Sequence, residues 1–220
     1  MSYYVVKKAV AARDFPSSAT GKQVVKLTAG QVVQADNCGK FSNTALGKVY
    51  LPVLVDGVYR WVHDAYLTAI SGKRAVALLH GESWLGKKPG SKAIAWYNST
   101  DSGKADPKPT GEAYCTVGAL WGVAQGTDLG SLISRTAAKL EKKARNKGIW
   151  HAKGGSYEPK PGDLVLFKTT GKSSATHTEL LASKSGDTLN TINYNASGVC
   201  KRQSRKVSDA YTYGYVEMPY

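Results

Sequence analysis

The sequence predicts an α+β protein in which a small all-β unit, residues 1–70, precedes a larger unit, residues 73–220, built of helices followed by an antiparallel sheet. Three observations lead there. Short β-rich segments with Gly and Asp turns, and no helical period, occupy the first third of the chain. From Lys73 the apolar spacing becomes helical. After Pro161 short strand-like runs return, divided by turn residues.

The elements follow in order. "YYVVKKAVAARDF", "KQVVKLTAGQVVQAD" and "KVYLPVLVDGVYRWV" read as short strands divided by turns at Ser17–Gly21, Asn37–Gly39 and Asp56-Gly57, and "HDAYL" as a closing turn and last strand. Asp-Gly supports the left-handed residues of a tight hairpin, so "VLVDGVYRWV" is the clearest pair, and the whole suggests a closed or nearly closed sheet. "KRAVALLHGESWLG" predicts a helix over 73–86 with Ala75, Leu78, Leu79 and Trp84 on one side, and "AIAWYN" marks another. "STDSGKADPKPTGEA" reads as a loop. "YCTVGALWGVAQG" is an apolar helix, and "SLISRTAAKLEKKARNKG" a basic one with Leu132, Ala137, Leu140 and Ala144 apolar and Gly148 as its stop. "LVLFKT", "THTELLAS", "TLNTINYN" and "TYGYVEM" are the strands of the later sheet.

Composition narrows the function classes. In 220 residues, 42% hydrophobic composition and 13 tyrosines argue against disorder. The net charge of +14 calls for an anionic partner, and it is spread over both units rather than gathered in a tail, so nucleic acid is not the expected one. The start "MSYYVVKKAVAARDF" lacks an apolar leader core, and no apolar run reaches transmembrane length. The expectation is a chain made in the cytoplasm without a signal peptide, not inserted in a membrane, and monomeric. Glycine-rich phosphate loops, a GxSxG nucleophile pattern and paired acidic ligands are absent from the sequence, so neither a cofactor nor a metal is expected.

The three cysteines, Cys38, Cys115 and Cys200, cannot all pair within one monomer. Cys115 follows a polar loop and opens the apolar helix, where unpaired backbone N–H groups favour a thiolate. His177 opens a strand, and Asn193 closes the next one after the turn "SKSGD". A cysteine hydrolase needs a thiolate, a base, and a group that fixes the base's tautomer. Cys115, His177 and Asn193 suit those roles, with Asn195 a substitute orienter or a substrate contact. Taken singly, Cys115 reads as a buried structural thiol and His177 as a packing histidine; their joint placement favours the chemical reading. Cys38 and Cys200 have no evident imidazole partner, and Asp163 reads as a structural turn cap.

Two resemblances extend these readings. Residues 3–68, with "VAARDFPSS", "LTAGQVV" and "DGVYRWVHDAYL" in that order, resemble a bacterial SH3-like (SH3b) domain, a class that binds peptidoglycan in cell-wall enzymes. Residues 73–220, with "SWLGKKPGSKAIAWYN", "EAYCTVGALWGV", "GIWHAKGGSYEPKPGDLVLF", "THTELL" and "TLNTINYNASGVCKRQSR", resemble the CHAP family of papain-like cysteine amidases and peptidases, and especially phage and prophage endolysins. The sequence departs from the family at Tyr114, commonly tryptophan, at Glu179, commonly glycine, and at Asn193, where an acid is usual.

The resemblance implies a papain-like fold behind a small SH3-like barrel, and cleavage of peptidoglycan amide bonds by Cys115, His177 and Asn193. Tyr114, Asn195, Trp150 and Tyr157 would be substrate-binding or supporting residues, with Tyr59, Trp61 and Tyr66 as wall-binding residues of which at least one faces the core. The implied partners are peptidoglycan and anionic wall polymers, with action at the wall. The competing readings are a catalytically inactive wall-binding protein, which would hold walls without cutting them, and a nucleic-acid-binding module, whose affinity would fall steeply with salt.

Overall fold

The computed structural model describes residues 2–36 and 40–220, so Cys38 and the turn expected at Asn37–Gly39 lie outside the described residues. Eight strands form the first sheet: β1 (Ser2–Val6), β2 (Val10–Arg13), β3 (Gln23–Leu27), β4 (Val32–Ala35), β5 (Phe41–Asn43), β6 (Lys48–Val55), β7 (Val58–His63) and β8 (Leu67–Ile70). Their order is β3-β2-β7-β6-β4-β1-β8, with β5 added on β6. Among the described residues this path is open, ending at β3 and β8, where the sequence suggested closure or near closure. The Asp-Gly hairpin forms as expected: Val55 pairs with Val58, and Asp56 and Gly57 have φ of 48° and 77°.

The larger unit begins directly after β8 with α1 (Gly72–Ser83), followed by α2 (Gly90–Ser99), α3 (Asp101–Ala105), α4 (Cys115–Ala124) and α5 (Ala137–Asn146). Short α3 lies inside the segment expected to be loop. It is nucleated by the Thr100 hydroxyl, which accepts from Gly103 N–H at 3.1 Å. Leu79 of α1 is 40% exposed rather than on the buried side, which is formed by Ala75, Ala77, Leu78 and Gly81. The second sheet contains β9 (Trp150–Ala152), β10 (Leu164–Phe167), β11 (His177–Ser185), β12 (Thr188–Ala196), β13 (Val199–Lys206) and β14 (Thr212–Val216), in the order β13-β12-β11-β10-β14-β9. The sequence reading missed β9 and β13. "VCKRQSRK" carries mostly charged and polar residues because β13 is an edge strand, where such residues discourage pairing with other chains.

Alternation in the second sheet separates two faces. Leu164, Leu166, Leu180, Ile192 and Tyr194 pack with α1 and α4 in the main core. Val165, Phe167, Leu181 and Leu189 form a smaller cluster on the other face.

The same alternation joins the two units. In paired β1 and β4, Val6 and Val33 belong to the core of the first sheet, while Val5 and Val32 belong to that of the larger unit. Val32 N–H donates to the Glu82 carboxylate at 2.8 Å, and Glu82 also pairs with Arg202 at 2.7 Å. Among the described residues no helix is long and apolar enough to cross a membrane.

Candidate active site

Cys115 is the first residue of α4, and its thiol is nearly buried. The loop before it is held from both sides: Arg135 pairs with Asp106 at 3.1 Å and with Glu112 at 2.6 Å, and Lys108 reaches Glu112 at 3.1 Å. The helix itself is buried along most of its length, and a glycine notch seats it on the sheet. A Cβ on Gly118 would lie 2.6 Å from the Cβ of Tyr194, so only glycine permits this approach. Behind Cys115, the Thr116 hydroxyl bonds that of Thr178 on β11 at 3.0 Å, tying the helix start to the strand carrying His177.

The approach to β11 is fixed from α5, where buried Glu141 accepts the N–H of Ala175 at 2.8 Å. His177 then pairs across the ladder with Phe167, and its ring stands 5.9 Å from the Phe167 ring. One ring nitrogen, Nε2, lies 3.1 Å from Oε1 of Glu179, leaving Nδ1 as the nitrogen available to the Cys115 thiol. Burial is the largest single influence on Cys115 and raises its pKa. Against it act the His177 imidazole, the Thr178 backbone N–H and the Thr116 hydroxyl, and the net result is a lowered thiol pKa. Burial likewise works against charge on His177, but hydrogen bonds and charge from Cys115 and Glu179 prevail and raise the imidazole to about 9. The pair therefore favours thiolate and imidazolium together.

Glu179 is fully buried. Arg205 Nη2 donates to its Oε1 at 2.6 Å, Asn193 Nδ2 to the same oxygen at 3.0 Å, and the Thr191 hydroxyl to Oε2 at 2.5 Å. Desolvation would raise its pKa, but the bonds from His177, Arg205 and Thr191 outweigh it and hold the carboxyl below its ordinary value. Gln203 completes the cluster by accepting from Asn193 at 2.9 Å and from Arg205.

This arrangement corrects the expected role of Asn193. The group against His177 is the Glu179 carboxylate, while the Asn193 amide faces that carboxylate and Gln203. The signal was in "HTE": residues two apart on a strand share a face, so a carboxylate at 179 falls beside a ring at 177. Arg205 and Gln203 were missed with β13.

The other expected contacts also separate. Asn195 builds the β12–β13 turn, its N–H donating to Asn193 Oδ1 at 2.9 Å and its Oδ1 accepting from Gly198 at 3.1 Å. Trp150 sits on edge strand β9, with Arg145 over its ring at 4.6 Å, three strands from β11. Tyr157 donates to Asp163 at 2.6 Å, just before β10, whose other end pairs with His177. Neither aromatic is therefore placed beside Cys115. Asp163 is a structural hub, accepting also from Arg74 at 3.0 Å, from Lys160 N–H at 2.7 Å and from Met218 N–H at 3.2 Å. Tyr114 spends its hydroxyl on Gly198 O at 2.8 Å, so that group is not a free oxyanion donor. Its ring instead lines a cavity of about 300 Å³ with Lys88, Ser91, Thr110 and Glu112, next in sequence to Cys115. Tyr211, stacked on Phe167 at 5.1 Å, is the aromatic that lies closer to the His177 cluster.

Cys200 is unlike Cys115. It is fully buried in the main core, and burial pushes its thiol up to about 12.

Comparison with solved structures gives distant likenesses, two of them to NlpC proteins. The structure of NlpC2 from Trichomonas vaginalis aligns over 98% of this chain and 72% of its own length, at 13% identity and a TM-score of 0.36. NlpC1 from the same organism aligns over 98% and 68%, at 14% identity and a TM-score of 0.35. Superposition this loose carries no argument about activity. No protein-family model matches the sequence, and no curated protein does.

In the first sheet, Tyr59 is 43% exposed, Trp61 is half-buried with its ring 5.9 Å from that of Phe41, and Tyr66 is half-buried against His63 at 5.5 Å. None of the three belongs to the core, although at least one was expected to face it. Tyr59 and Trp61 share one face of β7, while Tyr66 belongs to a separate groove.

Proposed function

We propose that this chain is a cysteine-dependent hydrolase of amide bonds in bacterial peptidoglycan, with Cys115 as nucleophile, His177 as acid and base, and Glu179 as the group that orients and charges the imidazole. The observation that carries the reading is the alignment of a lowered-pKa thiol at a helix start, an imidazole, and a buried carboxylate on the far ring nitrogen. The choice of peptidoglycan rests on the sequence resemblance to CHAP enzymes, with an SH3-like unit preceding the catalytic one.

In the proposed reaction the Cys115 thiolate adds to an amide carbonyl carbon. The resulting oxyanion is held by the Cys115 backbone N–H, which as a first-turn donor has no partner within the helix. His177 gives its Nδ1 proton to the leaving amine as the C–N bond breaks, leaving a thioester. It then takes a proton from water, whose hydroxide adds to the thioester, and collapse releases the acid and the thiolate. The Glu179 carboxylate, itself fixed by Arg205, Asn193 and Thr191, keeps Nε2 protonated throughout.

Purified wild type, Cys115→Ala and His177→Ala proteins on isolated walls test this, with fragments read by mass spectrometry. Fragments from wild type alone, with all three proteins still sedimenting with walls, are expected. Fragments from Cys115→Ala protein, or none from wild type, would overturn the assignment; wall binding without release by wild type is the behaviour of an inactive wall-binding scaffold.

A further inference from the structure

Two buried threonines meet behind Cys115. Thr116, 2% exposed, is the second residue of α4, and Thr178, 0% exposed, is the second residue of β11. Their hydroxyl oxygens lie 3.0 Å apart, and that of Thr116 is 3.9 Å from Cys115 Sγ. Thr178 follows His177 on the strand, so its side chain leaves the opposite face from the imidazole and reaches α4.

The direction of these bonds follows from counting protons. Two hydroxyls carry two protons, and the bond between them uses one. A threonine inside a helix ordinarily gives its proton to the carbonyl one turn back, but Thr116 has no turn of α4 behind it. Among the described residues the only further polar atom bonded to either hydroxyl is Cys115 Sγ. If the thiol donated to Thr116 and Thr116 to Thr178, the Thr178 proton would be buried without an acceptor, an arrangement that folded proteins rarely keep. The reverse order uses both protons: Thr178 donates to Thr116, and Thr116 donates to the sulfur.

Cys200 shows the opposite arrangement. Its Sγ lies 3.8 Å from the carbonyl oxygen of Gly81, which only accepts, so the proton there stays on sulfur. Both cysteines are buried, and burial raises a thiol. At Cys200 it prevails and pushes the thiol up to about 12, whereas at Cys115 the His177 imidazole, the Thr178 N–H and the Thr116 hydroxyl outweigh it.

We propose that Thr116 and Thr178 are positioning residues of the nucleophile, forming a hydrogen-bond chain from Thr178 through Thr116 to Sγ that holds the sulfur as an acceptor independently of His177. The inference rests on the reading of Cys115 as nucleophile and adds to it a donor that never changes its own charge. His177 loses its proton to the leaving amine, but the threonines keep theirs through the cycle. A donor is therefore in place when the C–S bond of the thioester breaks and its electron pair returns to sulfur, and a better stabilised thiolate leaves faster.

The test follows alkylation of Cys115 by iodoacetamide in the full chain between about pH 5 and 10, read by peptide mapping, because the rate reports the thiolate. Thr116→Val and Thr178→Val keep the branched shape and remove one hydroxyl each, while Thr116→Ser and Thr178→Ser keep the hydroxyl. Melting curves establish first that each protein is folded; a valine variant that does not fold is replaced by Thr116→Ala or Thr178→Ala with the same expectation. Both valine variants are expected to move the alkylation profile to higher pH and to label several-fold more slowly at neutral pH, and both serine variants to follow wild type. Thr116→Val should move the profile up again when added to His177→Ala. Unmoved profiles in the valine variants, serine variants as impaired as the valine ones, or no effect of Thr116→Val in the His177→Ala protein would overturn the proposal. Alkylation needs no turnover, so a wild type that cleaves nothing defeats the hydrolase reading while these profiles still decide the chain; a wild type that cleaves walls, with unmoved profiles in the variants, defeats the chain alone.

Discussion

Replacing Glu179 by glutamine separates the orienting role of this residue from mere space-filling. The substitution keeps the shape but removes the charge, and gives two N–H groups to a site whose neighbours Arg205 and Asn193 are themselves donors. In the folded chain His177 is raised from 6.5 to about 9, which at about 1.4 kcal/mol per pH unit favours the imidazolium by about 3 kcal/mol. That stabilisation comes from Cys115 and Glu179 together, against the burial that opposes it. Losing Glu179 removes one of the two groups that raise the imidazole and leaves the opposing burial, so the imidazolium is lost at lower pH. The sign follows from a raised pKa: the imidazolium form is complete below about 6.5 and is lost as pH rises through about 9. Wild type should therefore lose activity near pH 9, and Glu179→Gln at a distinctly lower pH. Its kcat should also fall by on the order of 100-fold or more, because the ring is no longer held in one tautomer. Release of soluble wall fragments, followed between about pH 6 and 10, reads both quantities. Asn193→Ala, which removes a donor to Glu179 and to Gln203 and an acceptor for Asn195 N–H but keeps the carboxylate against His177, should have a smaller effect. A Glu179→Gln protein with the wild-type rate and pH profile, or one milder than Asn193→Ala, would refute the assignment.

Two more outcomes follow from burial and charge. Iodoacetamide at neutral pH should alkylate Cys115 well before Cys200, whose fully buried thiol is pushed up to about 12; peptide mapping checks this, and faster labelling of Cys200 would contradict the electrostatics. A chain starting at Gly72 removes Val5 and Val32 from the main core and the Val32 N–H from Glu82, so it should melt several degrees below the full chain, with an unchanged melting temperature counting against the shared core.

Much of this molecule is written locally. Strand and helix periods, the Asp-Gly hairpin and the polar loop before an apolar helix are visible because each depends on neighbours within a few residues. Cys115 at a helix start and His177 at a strand start are legible on the same ground. The closure expected of the first sheet was not, since pairing of its outermost strands depends on how the whole sheet coils. Val5 and Val6, adjacent and alike in sequence, belong to different cores, and only the packing of the two units decides which faces which. The orienting group shows the same limit. The sequence pointed to Asn193 and named Glu179 only as a departure from a glycine, because the carboxylate's place depends on edge strand β13, whose basic sequence has little strand character and which brings Arg205 to it. A buried acid is tenable only with such a partner, and that partner lies 26 residues away in the chain. Sequence alone thus singled out Cys115 and His177 and most of the order of elements. Which group completes the site was decided by tertiary structure, because a buried charge is settled by whatever the fold brings against it.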